Sequence, residues 1–242
     1  MHLKHWGIVT LAMLLSACST YPALHSNSDN NELVVVIHGL TKSGRSMNTL
    51  SQGLIESGYN TCVLDYDTVG VTLNRMLQET DNQIEQCIDG AGKIHFVGHS
   101  LGGLVIRHYL GNHHQLQQQE RLGRTVMLGT PNHGSDVADH YQDRFWANWF
   151  GEVPPALVSS ENGLSQTLPT PDFEFGVIAG TKGYSITKSM FEQPNDGLVS
   201  VESTKLANMY DFKKVEVVHH KLKDDPQVIS LVAYFLENGQ FY

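Results

Sequence analysis

Residues 33–37 read Leu-Val-Val-Val-Ile, a continuous apolar, β-branched run of strand length. A strand apolar at every position is buried on both faces, as in a parallel sheet covered by helices. The period then changes. Over residues 46–57 the apolar positions Met47, Leu50, Leu54 and Ile55 fall on one helical face. Residues 61–66 predict a second strand, and Leu73, Met76, Leu77, Ile84, Cys87 and Ile88 a second helix. Ile94, Phe96 and Val97 mark a third strand, with a helix running on through Val105 and Ile106. Further strands are predicted at 124–128, 173–178 and 214–218, and a last helix at 226–238. This alternation predicts an α/β fold with a mainly parallel sheet of about six strands and helices on both faces. Active sites of such sheets lie at the carboxyl ends of the strands, so the chemistry is sought just after each one.

The third strand breaks at Gly98-His99-Ser100-Leu101-Gly102 and the helical pattern starts at once. G-x-S-x-G between strand and helix is the spacing of a nucleophile elbow. The sharp turn lifts the Ser100 hydroxyl clear of the sheet, and a side chain at Gly98 or Gly102 would collide with the neighbouring strand or helix. The N–H groups at the helix start face the same spot and favour negative charge. After the first strand come His38-Gly39-Leu40, where a His-Gly pair matches an oxyanion loop. The backbone N–H groups of Leu40 and Leu101 are read as the two donors, each worth about 3 kcal/mol to a transition state.

A serine needs a base and an orienting carboxylate, here in the order Ser, Asp, His. Asp196 lies in Asn195-Asp196-Gly197-Leu198-Val199 after the fifth predicted strand, flanked by turn formers. His219 and His220 close the sixth, and position alone leaves both open.

Three stretches narrow the reading: Met127-Leu128-Gly129-Thr130-Pro131-Asn132-His133-Gly134-Ser135, Asn195 through Leu206, and Tyr234-Phe235-Leu236-Glu237-Asn238-Gly239. With the elbow they resemble the bacterial lipase/carboxylesterase branch of the α/β-hydrolase superfamily, over about residues 32–242. The resemblance implies a serine hydrolase that cleaves carboxylic esters through an acyl-enzyme. It also selects His219, because the family's histidine stands three residues before an apolar position and seven before a proline, here Leu222 and Pro226. A related branch binds calcium through an acid two residues past the histidine. That position is Lys221, so no such metal is expected.

Residues 1–17 carry a short apolar run behind Lys4, too short to span a bilayer. Its end, Leu15-Ser16-Ala17-Cys18, resembles a bacterial lipobox, which implies a signal peptide over 1–17 and a lipid on Cys18. Ser19 in the next position implies sorting to the outer membrane of a Gram-negative envelope. Residues 18–31 then read as the lipidated cysteine and a flexible tether, and 32–242 as the hydrolase domain.

The formal net charge of −9 excludes nucleic acid and anionic lipid surfaces as broad electrostatic partners. Cys62 and Cys87 would lie at the same edge of one βαβ unit, either as a disulfide allowed by an oxidising compartment or as two buried thiols. His108, His113, His114 and His140 show no metal-ligand spacing, His99 fills a variable elbow position, and His133 suits loop packing. No metal and no cofactor is implied.

A cap insertion is expected at about 134–172. Its Phe145, Trp146, Trp149 and Phe150 fall on one helical arc, as an acyl pocket, a lid, or simple packing. The small cap and acidic surface favour a short or medium acyl chain over a triglyceride droplet. Two further readings stand beside ester hydrolysis: an acyltransferase using the same triad, and a non-catalytic envelope lipoprotein with a binding role. Oligomeric state is left open.

Overall fold

The structure, a computed structural model, describes residues 22–25, 31–142 and 151–242. The signal peptide, Cys18 and the four cap aromatics Phe145, Trp146, Trp149 and Phe150 lie outside the described residues.

The described strands are β1 (Ala23–His25), β2 (Glu32–Ile37), β3 (Asn60–Val63), β4 (Lys93–His99), β5 (Leu122–Leu128), β6 (Phe175–Gly180) and β7 (Asp211–Val215). The helices are α1 (Asn48–Glu56), α2 (Leu73–Ile88), α3 (Leu101–Asn112), α4 (Gln115–Gln118), α5 (Asp136–Tyr141), α6 (Leu164–Thr167), α7 (Val201–Thr204) and α8 (Pro226–Asn238). They build one seven-stranded sheet in the order β1-β3-β2-β4-β5-β6-β7. Every pairing is parallel except β1 with β3.

Period-two alternation sends each strand's side chains to two separate cores. Val35, Ile37, Phe96 and Met127 pack with Met76 and Ile84 of α2 and Leu104 and Tyr109 of α3. Val34, Val36, Val97, Val126 and Leu128 pack with Leu50 and Leu54 of α1 and Val228, Leu231 and Phe235 of α8. That is why residues 33–37 are apolar throughout. The start of α8 is set locally: the Asp225 carboxylate accepts the N–H groups of Gln227 and Val228, and Pro226 takes the first turn.

The sheet departs from expectation in three places. The stretch read as a tether contributes β1, where Ala23, Leu24 and His25 pair with Val63, Cys62 and Thr61. Nothing local marks this edge strand, which is paired with β3, remote in sequence. The second predicted strand stops at Val63; Leu64 still donates its N–H to the Val36 carbonyl at 3.0 Å, while Asp65 bonds to Gln83 and Tyr66 to His38. The sixth ends at Val215 rather than Val218, and 216–218 form a separate lead-in to His219.

Cys62 of β3 and Cys87 of α2 are joined in a disulfide, with 5.8 Å between their Cα atoms. It ties β3 to the last turn of α2.

Candidate active site

Ser100 occupies the turn between β4 and α3 with φ 57° and ψ −123°. A non-glycine residue there is strained, and the surroundings hold it. Its N–H donates to the carbonyl of Leu128 at 2.8 Å, and its carbonyl accepts the N–H of Gly103 at 3.0 Å. The flanking glycines permit the crossing. A Cβ on Gly98 would lie 2.5 Å from the backbone carbon of Gly102, and one on Gly102 would lie 2.3 Å from the carbonyl oxygen of Ile37. Helix and strand therefore meet at backbone contact, with the serine at the apex.

Asp196 follows β6 in a tight turn and is 1% exposed. Its Oδ1 accepts the N–H groups of Leu198 (3.0 Å) and Val199 (2.8 Å). Its Oδ2 lies 2.7 Å from His219 Nδ1. The His219 N–H donates to the carbonyl of Asp196 at 2.9 Å, so the two residues are tied through both side chain and backbone. With Nδ1 on the carboxylate, the ring's Nε2 is left for a proton-transfer partner. His220 is placed differently. It is exposed, and its Nδ1 is hydrogen-bonded to the Tyr184 hydroxyl.

His99 is 2% exposed and does more than fill a turn position. Its Nε2 donates to the His219 carbonyl at 2.9 Å. Burial first, then His219, hold its pKa well below the ordinary imidazole value, so it is neutral.

Leu40 follows β2, beside the elbow. A Cβ on Gly39 would lie 2.9 Å from Ser100 Cβ, so only glycine lets this loop pass the serine. The loop is held from behind. Tyr66 stacks on His38 with ring centroids 4.1 Å apart, and its hydroxyl donates to the His38 carbonyl at 2.7 Å. The Tyr66 N–H donates to His38 Nε2 at 3.3 Å, which leaves Nδ1 to donate to the Gly39 carbonyl at 2.9 Å. Burial lowers the His38 pKa and keeps it in this neutral form. Leu101, whose N–H opens α3, directly follows the serine.

Ser100, His219, Leu40 and Gly39 line one cavity of about 320 Å³. Its other walls come from Val137, Ala138 and Tyr141 of α5, from Pro154, Pro155 and Leu157, and from Leu198 and Val199. The insertion between β5 and β6 thus shapes the pocket through residues that carry no motif. Only their place between those strands pointed to them. Arg107 of α3, 3% exposed, fastens the insertion by donating to the carbonyls of Asn132, Ser165, Leu168 and Pro169 at 3.2–3.3 Å. Burial lowers its pKa to about 10.

The remaining histidines lie elsewhere. His108 and His113 face Asp81 of α2 at 3.3 Å and 3.6 Å, and His133 is exposed on a loop.

The chain matches the family model described as alpha/beta hydrolase fold over residues 32–165. No curated protein matches it by sequence at a significant level. Among solved structures it is similar to the Bacillus licheniformis lipase BlEst2. The propeptide form aligns with TM-score 0.69 and 20% identity over 90% of this chain and 53% of that one, so this chain spans about half its length. The mature form aligns with TM-score 0.65 and 18% identity over 91% and 98%. A lipase-esterase related protein of Clostridium acetobutylicum aligns with TM-score 0.61 and 14% identity over 90% and 98%. At such identities the likeness is one of fold. The family match covers more than half of the sequence, and it runs through the elbow and most of the cap, so this protein belongs to the α/β-hydrolase fold family.

Proposed function

We propose that the protein is a serine hydrolase acting on carboxylic esters, with Ser100 as nucleophile, His219 as general base and acid, and Asp196 as the orienting carboxylate. One observation carries the reading: the 2.7 Å contact of His219 Nδ1 with Asp196 Oδ2, in the wall of the cavity that holds the strained Ser100. A binding module has no use for such strain.

In the proposed reaction Ser100 Oγ attacks the ester carbonyl while His219 Nε2 takes its proton. Asp196 holds the tautomer and stabilises the imidazolium. The N–H groups of Leu40 and Leu101 receive the negative charge of the tetrahedral intermediate. His219 then protonates the departing alcohol, and water releases the acid by the same steps in reverse. The apolar walls and a volume of about 320 Å³, at the small end for ligand pockets, suit a short or medium acyl chain. The lipobox-like Leu15-Ser16-Ala17-Cys18 supports an enzyme anchored to the envelope, with Cys18 as the lipidated residue.

The test is labelling of the full chain and Ser100→Ala by a fluorophosphonate, with turnover of nitrophenyl esters of increasing chain length. The reading requires both activities in the wild type and neither in the variant. Folded wild-type protein that is neither labelled nor active would overturn it. Radiolabelled palmitate incorporated by the wild type but not by Cys18→Ala would test the anchor.

A further inference from the structure

The cavity has two unlike ends. Its inner wall is apolar, built by Leu40, Val137, Leu157, Leu198 and Val199. The described lining residues that are exposed, and so form the rim, are Thr41, Lys42, Gln142 and His220. No described lining residue is a carboxylate, although the chain carries 25 acidic residues against 16 basic ones. The rim is thus a local exception to an acidic molecule.

The backbone at Lys42 and the ring of His220 are each held in place. Lys42 follows the proposed oxyanion loop in a turn closed by its own N–H, which donates to the Gly39 carbonyl at 3.3 Å. Thr41 takes φ 57° there, and its N–H donates to Thr68 Oγ1 at 2.8 Å, which fixes the strained turn. Among the described residues Lys42 makes no ion pair. The His220 ring stacks on Tyr184, with centroids 5.8 Å apart, and its Nδ1 is hydrogen-bonded to the Tyr184 hydroxyl, which also accepts the His220 backbone N–H at 3.4 Å. With Nδ1 engaged there, Nε2 is the ring nitrogen left to meet a ligand. Desolvation, then the ammonium groups of Lys221 and Lys42, lower the His220 pKa; of these two lysines Lys42 lines the cavity beside His220.

We propose that Lys42 and His220 form a subsite for an anionic group, such as a phosphate monoester, carried on the alcohol side of the scissile ester. The substrate is then an amphiphile. Its acyl chain fills the apolar wall, its carbonyl meets Ser100, and its charged alcohol portion stays at the rim. Lys42 stands two residues from Leu40, so the ammonium and the proposed oxyanion donor act on neighbouring parts of one ligand. A compact ammonium suits phosphate as a point charge, and the imidazole N–H adds a directed bond. This inference rests on the hydrolase reading and names its substrate class.

The experiment compares octanoylglycerol with octanoylglycerol phosphate, which share acyl chain and ester, using the full chain in a non-ionic detergent. The expected result is a kcat/KM about tenfold higher for the phosphate at low ionic strength, shrinking as salt is raised. Lys42→Gln is expected to bring the ratio to one or below, and Lys42→Glu to invert it. Lys93→Gln, at the opposite edge of the sheet, is expected to leave the ratio as it is. A wild-type ratio of one or less, or one that Lys42→Gln does not move, overturns the inference while the turnover of octanoylglycerol leaves the hydrolase reading standing. Preference for the ethyl half-ester of suberic acid over both glycerol esters would put the anion on the acyl side, and overturns the placement. No turnover of any ester, with no fluorophosphonate labelling, removes the hydrolase reading and this inference with it.

Discussion

His99 and His219, 120 residues apart in sequence, are joined by a 2.9 Å hydrogen bond from the His99 ring to the His219 backbone, with ring centroids 4.9 Å apart. The residue just before the proposed nucleophile therefore anchors the chain that carries the proposed base. His99→Phe keeps a ring but loses the donor, leaving the His219 carbonyl without this bond. Its kcat is expected to fall about tenfold or more with a smaller change in KM, because small misplacements of a base are costly. His99→Gln, which can offer an amide N–H, is expected to recover part of the loss. Equal kcat in the wild type and His99→Phe would show that the bond does not position His219.

Acid should unfold the protein from an early point. His38, His95 and His99 are each held below the ordinary imidazole pKa of 6.5, by burial above all, and His95 is pushed down to about 4. With the folded pKa depressed, the unfolded chain takes up the protons first. The stability of the neutral forms is complete above about pH 6.5 and is lost as the pH falls below it. Each histidine adds up to about 1.4 kcal/mol per pH unit until its own folded pKa is reached. Urea midpoints measured from about pH 8 down to about pH 5 should stay level and then drop below about pH 6.5. A profile flat to about pH 5 would contradict this.

The strain at Ser100 can be weighed directly. Ser100→Ala keeps a Cβ at φ 57°, whereas Ser100→Gly removes it. Against the usual cost of glycine, Ser100→Gly is expected to be the more stable of the two by about 1 kcal/mol. Thermal melts of the two inactive variants compare them without interference from turnover. A more stable alanine variant would mean that the turn stores no strain.

Tyr66 tests the support of the proposed oxyanion loop. Tyr66→Phe preserves the stack on His38 but leaves the His38 carbonyl without its 2.7 Å donor. A loss of about 1–3 kcal/mol in stability is expected for that buried group. Activity should fall as well, because Leu40 follows directly. Denaturation together with ester kinetics would separate the two effects, and unchanged kcat would exclude the loop from catalysis.

The Cys62–Cys87 bridge closes a loop with a sequence separation of 25. Loop-closure entropy for that length corresponds to about 3.5 kcal/mol. Reduction, or the Cys62→Ala and Cys87→Ala double variant, is expected to lower the urea-derived stability by roughly this amount. No change under a reductant that frees both thiols would show that the bridge adds no stability.

The readable parts of this protein were those with local causes. The burial of both sheet faces shows in Leu33 through Ile37, and α8 announces itself with Asp225-Pro226 and a helical stripe. Gly98, Ser100 and Gly102 reveal the elbow by their spacing within five residues, although the contact that requires glycine at 102 is with the remote Ile37 carbonyl. Other features depended on partners remote in sequence. The edge strand β1 exists through its pairing with β3, and beyond Leu64 the chain leaves the ladder at a point where Tyr66 meets His38, 28 residues away. The adjacent His219 and His220 looked alike in position, yet one meets Asp196 and the other Tyr184.

By itself, then, the sequence determined the alternating α/β order, the strand-to-helix turn at Ser100 and the chain order of Ser100, Asp196 and His219. Periodicity and steric limits act over a few residues and are written wherever those residues stand. Only the tertiary structure decided that His99 holds His219, that Val137 and Leu157 wall the cavity, and that Lys42 and His220 share its rim. These relationships join segments brought side by side by the parallel sheet, which gathers the carboxyl ends of distant strands at one edge and leaves no mark of that meeting in any single stretch of chain.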